Sequence, residues 1–228
     1  MSKDQEEIAI DKIVQQKRIP LQRLNRLIQD LNHELDGIIE IGEDSIYIPK
    51  KEKMKLVNKA ISSGISLEQI IETLHWKEFE SFCLMVLDHN EFSAIHNYYF
   101  SFRKKRYEID VIGMKKPLIF AIDAKKWKTG QASALKAVVK NQINRVRAFS
   151  KSLFKSKTRQ KLNLSKWKQA KIIPMIVTSK TYEIKIFERV PIIPFFKLNG
   201  FITDYHRYSQ MIFRFSVKLT SQKSLTSN

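Results

Sequence analysis

Two apolar runs between Tyr107 and Lys125 constrain the fold of this chain more than anything else in it. Residues 107–114 and 118–123 both read as strands, and Lys115-Lys116-Pro117 between them is long enough only for a turn. A hairpin is therefore expected, and it carries acids where a buried strand should be apolar. Glu108 and Asp110 lie in the first run, Asp123 ends the second, and Lys125 follows two residues later. Side chains alternate along a strand. Tyr107, Ile109 and Val111 are thus expected on one face, with Glu108, Asp110 and Ile112 on the other, while Asp123 and Lys125 share a face. An acid in such surroundings is costly unless it is paired or binds a metal.

Closing the hairpin brings Asp110, Asp123 and Lys125 together, and that grouping has a chemical use. Two carboxylates and the main-chain carbonyl of Ala124 are oxygen donors for Mg²⁺ that leave positions for water. The ion lowers the pKa of a bound water and polarises a phosphoryl oxygen. Lys125 can orient that water or meet the charge that grows on phosphorus. The competing reading is a plain salt-bridge cluster, but exposed pairs contribute little, a modest return for two acids set in apolar strands.

The segments on either side extend the pattern. An amphipathic helix runs from His75 through Trp76, Phe79, Phe82, Cys83, Val86 and Leu87, and residues 94–102 form an aromatic strand. A helix spans residues 133–149. Its stripe of Leu135, Val138, Val139, Val146 and Phe149 is interrupted by Gln142. Residues 171–178 and 190–196 read as further strands, with a short helix over 197–205. The fold class is α/β.

The set Trp76-Lys77-Glu78-Phe79-Glu80, Glu108-Ile109-Asp110-Val111 and Asp123-Ala124-Lys125-Lys126-Trp127 resembles the PD-(D/E)xK nuclease superfamily. It is most similar to Mrr-type restriction endonucleases and archaeal Holliday-junction resolvases. The resemblance covers roughly residues 75–205. It implies a restriction-endonuclease-like core, a mixed central sheet flanked by helices, and Mg²⁺-dependent cleavage of DNA with Mn²⁺ as a substitute ion. Asp110 and Asp123 match the metal ligands, Lys125 the catalytic lysine, and Glu80 the helix acid, with Glu78 as the alternative. Gln142 is implied to hydrogen-bond the lysine or the water, against the plainer reading of a Gln at the margin of its stripe. A homodimer follows by the same analogy, since cutting two strands is easier with two sites. The chain departs from the pattern in having Asp123 where Glu is common and no Pro before Asp110. Gln142 has no Tyr four or five residues on, so a RecB-like subgroup is not implied.

Upstream, residues 1–49 read as a separate unit. Ile8-Ala9-Ile10 is a short strand, Asp11 can cap a helix to Gln16, and Pro20 opens a second helix with Leu21, Leu24, Leu27, Ile28 and Leu31 on one face. Ile38–Ile41 and Ser45–Ile48 around Gly-Glu-Asp form a hairpin. This order resembles a small winged helix-turn-helix domain, whose second helix enters the major groove. Arg23, Asn25 and Arg26 are then the DNA-facing residues, although such modules also bind proteins. Residues 50–74 read as a helical connector in which Ser66 and Gln69 form a capping box. The nuclease-like domain takes residues 75–217, and 218–228 a disordered tail.

Composition bears on the partner. Forty-one Lys and Arg against 23 Asp and Glu give a net charge of +18. Such an excess favours a polyanion through counterion release. Nucleic acid comes first, DNA ahead of RNA, and an anionic membrane surface second, with a solubility device as the uneventful explanation. Residues 150–171 hold basic residues and no acid, with Trp167 among them. They read equally as a phosphate-contacting arm using Lys166, Trp167 and Lys168 or as a solvated loop. Lys126 and Trp127, just past the triplet, are further candidate contacts. The single cysteine, Cys83, excludes an internal disulfide and suits a reducing cytoplasm. The polar start is not that of a signal peptide, and no membrane span is expected. His33, His75, His89, His96 and His206 lack metal-ligand spacing. The competing function is a DNA-binding regulator or scaffold whose nuclease-like domain is inactive.

Overall fold

The computed structural model describes residues 5–49, 52–66, 69–70, 76–125, 132–182 and 185–219. The chain divides into two compact units, Met1–Ile70 and Ile71–Asn228.

The first unit runs β1 (Gln5–Ala9), α1 (Ile10–Lys17), α2 (Leu21–Glu34), β2 (Glu40–Ile41), β3 (Ser45–Pro49) and α3 (Lys53–Ser62). Its three strands pair antiparallel in the order β1-β3-β2. Pro20 precedes α2, and its carbonyl accepts the Leu24 N–H at 3.0 Å. Asp11 supplies no side-chain cap to α1. Leu24 and Ile28 of the α2 stripe pack with Ile10, Leu35, Ile39, Ile46 and Ile48, while Leu21 and Leu27 stay exposed. The Asn32 side chain accepts the Ile39 N–H at 2.7 Å, tying the end of α2 to the strand that follows. The helix expected within a connector lies inside this unit: Leu56 of α3 packs on its core, Lys53 pairs with Glu6, and Lys59 lies 2.7 Å from Glu34. Ser66 and Gln69 form the expected box. The Gln69 side chain accepts the Ser66 N–H at 3.1 Å, and the Ser66 hydroxyl accepts the Gln69 N–H at 3.2 Å.

The second unit is mixed α/β. It contains α4 (Trp76–His89), β4 (Ser93–Phe102), β5 (Lys105–Lys115), β6 (Leu118–Lys125), α5 (Ala132–Ser152), α6 (Ser156–Lys161), β7 (Gln169–Thr178), β8 (Ile186–Phe187), β9 (Val190–Pro194), α7 (Leu198–Thr203), α8 (Tyr205–Tyr208) and β10 (Phe215–Lys218). The strand order is β4-β5-β6-β7-β9-β8. β4, β5 and β6 are antiparallel, as their short turns require, and β7 and β9 continue parallel to β6. Helices flank the sheet as expected. Ile112 and Met114 of β5 join Val146 and Phe149 of α5 in one core. Gly113 between them faces the other way, against Leu87 of α4.

The basic stretch after α5 is not the open linker it resembles. It folds into α6, and Leu153, Leu162, Leu164 and Ala170 are buried in the α5 core. Trp167 is half-buried against the same cluster, so its ring is largely a packing element. The expected tail also starts too early: Lys218 pairs with Gln169 and Leu219 is buried, while residues 220–228 lie outside the described residues.

Candidate functional site

Strand β5 departs from regularity at one residue. Its ladder with β4 is continuous except at Asn97 and Asp110, and Asn97 has the left-handed φ of 49°. The ladder with β6 ends at Val111–Ile122, just before Asp110 and Asp123 would face each other. Simple alternation consequently fails here. Ile109 and Ile112 lie in the same core under α5, although they are an odd number of positions apart, with Asp110 and Val111 between them. The expectation that Ile112 shares a face with Glu108 is corrected accordingly. Where the ladder stops, the Asp110 side chain takes over as acceptor: its Oδ2 receives the Ala124 N–H at 2.9 Å.

Asp110, Asp123 and Lys125 do come together. The Lys125 ammonium lies 3.0 Å from Asp123 Oδ1 and 3.8 Å from Asp110 Oδ2, and 3.5 Å from the Ala124 carbonyl. Asp123 is only 1% exposed. A carboxylate that deep costs several kcal/mol unless it is paired. A second cation meets that need: Arg145 Nη1 of α5 reaches Asp123 Oδ1 at 2.7 Å. Arg145 also donates to Gln142 Oε1 at 2.6 Å, and Gln142 Nε2 donates to the Ala121 carbonyl at 2.8 Å. Gln142 is fully buried and belongs to the site, but it bonds β6 and Arg145 rather than the lysine. Residue patterns missed Arg145. The available signal was its place three residues after Gln142, one helical turn along.

Acids accumulate around this point. Glu80 of α4 is buried and pushed up to about 7. Burial is the main cause, followed by the charges of Asp110 and Glu108, with Lys125 opposing. Asp110 is also raised, first by burial and then by Asp123, against Lys125, the Ala124 N–H and Arg145. Burial likewise raises the Cys83 thiol, with Glu80 and Asp110 adding to it, so this cysteine is an inert core residue. The side chain of Glu78 lies outside the described residues, as do Lys126 and Trp127. Arg23, Asn25 and Arg26 are exposed on α2 of the first unit, and Lys166 and Lys168 are exposed beside Trp167.

Among the described residues, no three His, Cys, Asp or Glu side chains form a metal cluster. Mg²⁺ needs fewer, since it keeps several waters and takes one or two carboxylates. Asp110 and Asp123 each use one oxygen for the contacts above. The other oxygen accepts no hydrogen bond among the described residues. Together with the Ala124 carbonyl they make a hard-oxygen donor set. Burial first, and neighbouring carboxylates second, raise Asp110 and Glu80, and a cation at this point would favour their ionised forms. No described helix is long and apolar enough to cross a membrane.

No family model matches the chain. An uncharacterized protein from Archaeoglobus fulgidus is 24% identical over 137 residues, which are 59% of this chain and 95% of that protein. Protein VC1899 from Vibrio cholerae is similar with a TM-score of 0.38 and 15% identity, covering 91% of this chain. A protein of unknown function, AF1548, gives a TM-score of 0.29 and 15% identity over 45% of this chain. The matches cover 46% of each of these two solved chains.

Proposed function

We propose that this protein is a Mg²⁺-dependent DNA endonuclease of the PD-(D/E)xK type. The observation that carries the reading is one ammonium, Lys125, within 4 Å of two carboxylates on the neighbouring strands β5 and β6. Asp110, Asp123 and the Ala124 carbonyl would hold Mg²⁺, or Mn²⁺ in its place. When bound, the ion supplies Lewis-acid activation of the phosphodiester and of water. Lys125 then orients the attacking water or neutralises charge on the phosphoryl oxygens. Arg145, itself held by Gln142, fixes the Asp123 carboxylate in one orientation. Glu80, whose carboxyl is raised to about 7 chiefly by burial, would ionise more readily with a cation beside Asp110.

The mixed sheet with three antiparallel strands followed by a parallel pair supports a restriction-endonuclease-like core. The order strand, helix, helix, hairpin in the first unit supports a winged helix-turn-helix. Its α2 offers Arg23, Asn25 and Arg26 to the major groove. A cytoplasmic location and a homodimer that cuts both strands belong to the same proposal.

A second reading has its own observation. Arg145 already occupies Asp123 at 2.7 Å, as in a DNA-binding scaffold that has lost catalysis. Supercoiled plasmid with Mg²⁺ separates the two. Nicking by the wild type that disappears in Asp110→Asn supports the nuclease; tight binding with no nicking by either protein supports the scaffold. Lys125→Ala should abolish nicking and leave DNA affinity within a few-fold, because one phosphate contact among many is lost. A collapse of binding would make Lys125 a grip rather than a catalyst.

A further inference from the structure

Strands β4 and β5 pair as far as Phe102–Lys105, leaving Arg103 and Lys104 as a two-residue turn. Both have positive φ, 49° and 62°. A turn of this kind normally takes Asn-Gly, which reaches that conformation without steric cost. Here two long cations occupy it, followed directly by two more, Lys105 and Arg106. All four are exposed, and none forms an ion pair among the described residues. Aromatic rings lie against them: Arg103 is 5.5 Å from the centre of Phe102, Lys105 5.4 Å from Tyr107, and Arg106 4.8 Å from Tyr99. The charged groups themselves lie over the rings, which hold them by cation–π attraction without neutralising their charge.

This tip is joined to the site. Arg106 rests on Tyr99, whose hydroxyl is raised chiefly by a hydrogen bond to Glu108. Glu108 lies two residues before Asp110 on the same strand. From Lys105 to Asp110 is five residues of strand, about 17 Å. In B-form DNA that is about five base pairs of axial rise. A two-stranded ribbon also fits the major groove.

We infer that the β4–β5 hairpin is a DNA-gripping arm whose Arg103, Lys104, Lys105 and Arg106 meet backbone phosphates about five base pairs from the bond at the site. It deepens the nuclease proposal, but the binding it describes does not need hydrolysis.

The test replaces Arg103→Asn and Lys104→Gly together in the full chain. The favoured turn sequence keeps the hairpin while removing two charges. Binding to a labelled 30-base-pair duplex is followed without divalent ion over a range of salt concentrations. The slope of log affinity against log salt should flatten by about two, and affinity in low salt should fall at least tenfold. Circular dichroism and the thermal midpoint should match or exceed the wild type. An unchanged slope, or no duplex binding by the wild type, overturns the inference. So does a variant that loses binding to phosphatidylserine vesicles while keeping its DNA affinity. A flattened slope in a protein that never nicks DNA keeps the arm and removes the nuclease. Normal nicking with an unchanged slope does the reverse.

Discussion

Glu80 sets the pH response we expect of the second unit. Its carboxyl is raised from 4.5 to about 7, so the unfolded chain ionises it more readily than the folded one. The stability it contributes is complete below about 4.5 and is lost as pH rises through about 7. Asp110 is raised too and acts with the same sign. Glu80→Gln should therefore flatten the decline in urea midpoint between pH 5 and pH 8 and be more stable than wild type at pH 8. Parallel curves for the two proteins would refute this. Mg²⁺ at pH 8 should raise the wild-type midpoint, and Asp110→Asn should remove that gain. Arg145 gives a second residue-scale expectation. Arg145→Met leaves Asp123 with one cation in place of two and should cost about 2–3 kcal/mol in denaturant titrations. Arg145→Lys should recover only part, since the shorter lysine places its ammonium short of the one Nη1 nitrogen that bonds both Asp123 and Gln142. Asp110, Asp123 and Lys125 were legible in the sequence because charges stand out inside apolar strands. Arg145 was not, since on a helix between Asn144 and Val146 it looks like any surface cation, and its partner is 22 residues away. Gln142 was singled out for interrupting its stripe, but its partner, a main-chain carbonyl of β6, leaves no mark in residue types.

Helices α4 and α5 could be read from their apolar stripes, and strands β6 and β7 from continuous apolar runs that are buried on both faces. What escaped has a physical reason in each case. Helix α6 is Ser-Lys-Thr-Arg-Gln-Lys, with no apolar stripe, and the chain around it is held by Leu162 and Leu164, which follow the helix. Strand β10 has four residues and pairs with the first residues of β7, while β9 takes the last three. A shared strand edge is a long-range arrangement that local pattern does not encode. The break at Asn97 and Asp110 is likewise a backbone event without a residue signature, and it is what turns Asp110 from a ladder position into an acceptor for Ala124. Gly113 shows how closely α4 and the sheet approach. A Cβ there would sit 2.5 Å from Leu87 Cδ2 and 2.9 Å from Cδ1. Gly113→Val should cost about 1–3 kcal/mol through overpacking. Pairing it with Leu87→Ala should recover part of that loss, whereas strictly additive losses would mean the strain lies elsewhere.

The whole molecule carries +18, and that excess lies in the second unit: residues 1–70 hold 11 Lys and Arg against 12 Asp and Glu, and residues 71–228 hold 30 against 11. Each unit has its own hydrophobic core, with Leu24, Ile28 and Ile46 in the first and Ile109, Ile119 and Phe149 in the second. Removing surface charge from one should leave the fold of the other intact. Arg23→Ala with Arg26→Ala takes two exposed cations from α2. If α2 lies against DNA, the salt slope should flatten by about two. If the first unit instead binds a protein, the slope should stay as in wild type. Combining these substitutions with Arg103→Asn and Lys104→Gly asks a question neither pair answers alone. Phosphates neutralised on one duplex by both units release their counterions independently, so the fourfold variant should lose about four units of slope. Where each pair alone costs about two, a loss of only about two in the fourfold variant would mean that the units bind DNA in alternation rather than together. The first unit would then deliver the protein to DNA, and the hairpin would hold the duplex afterwards.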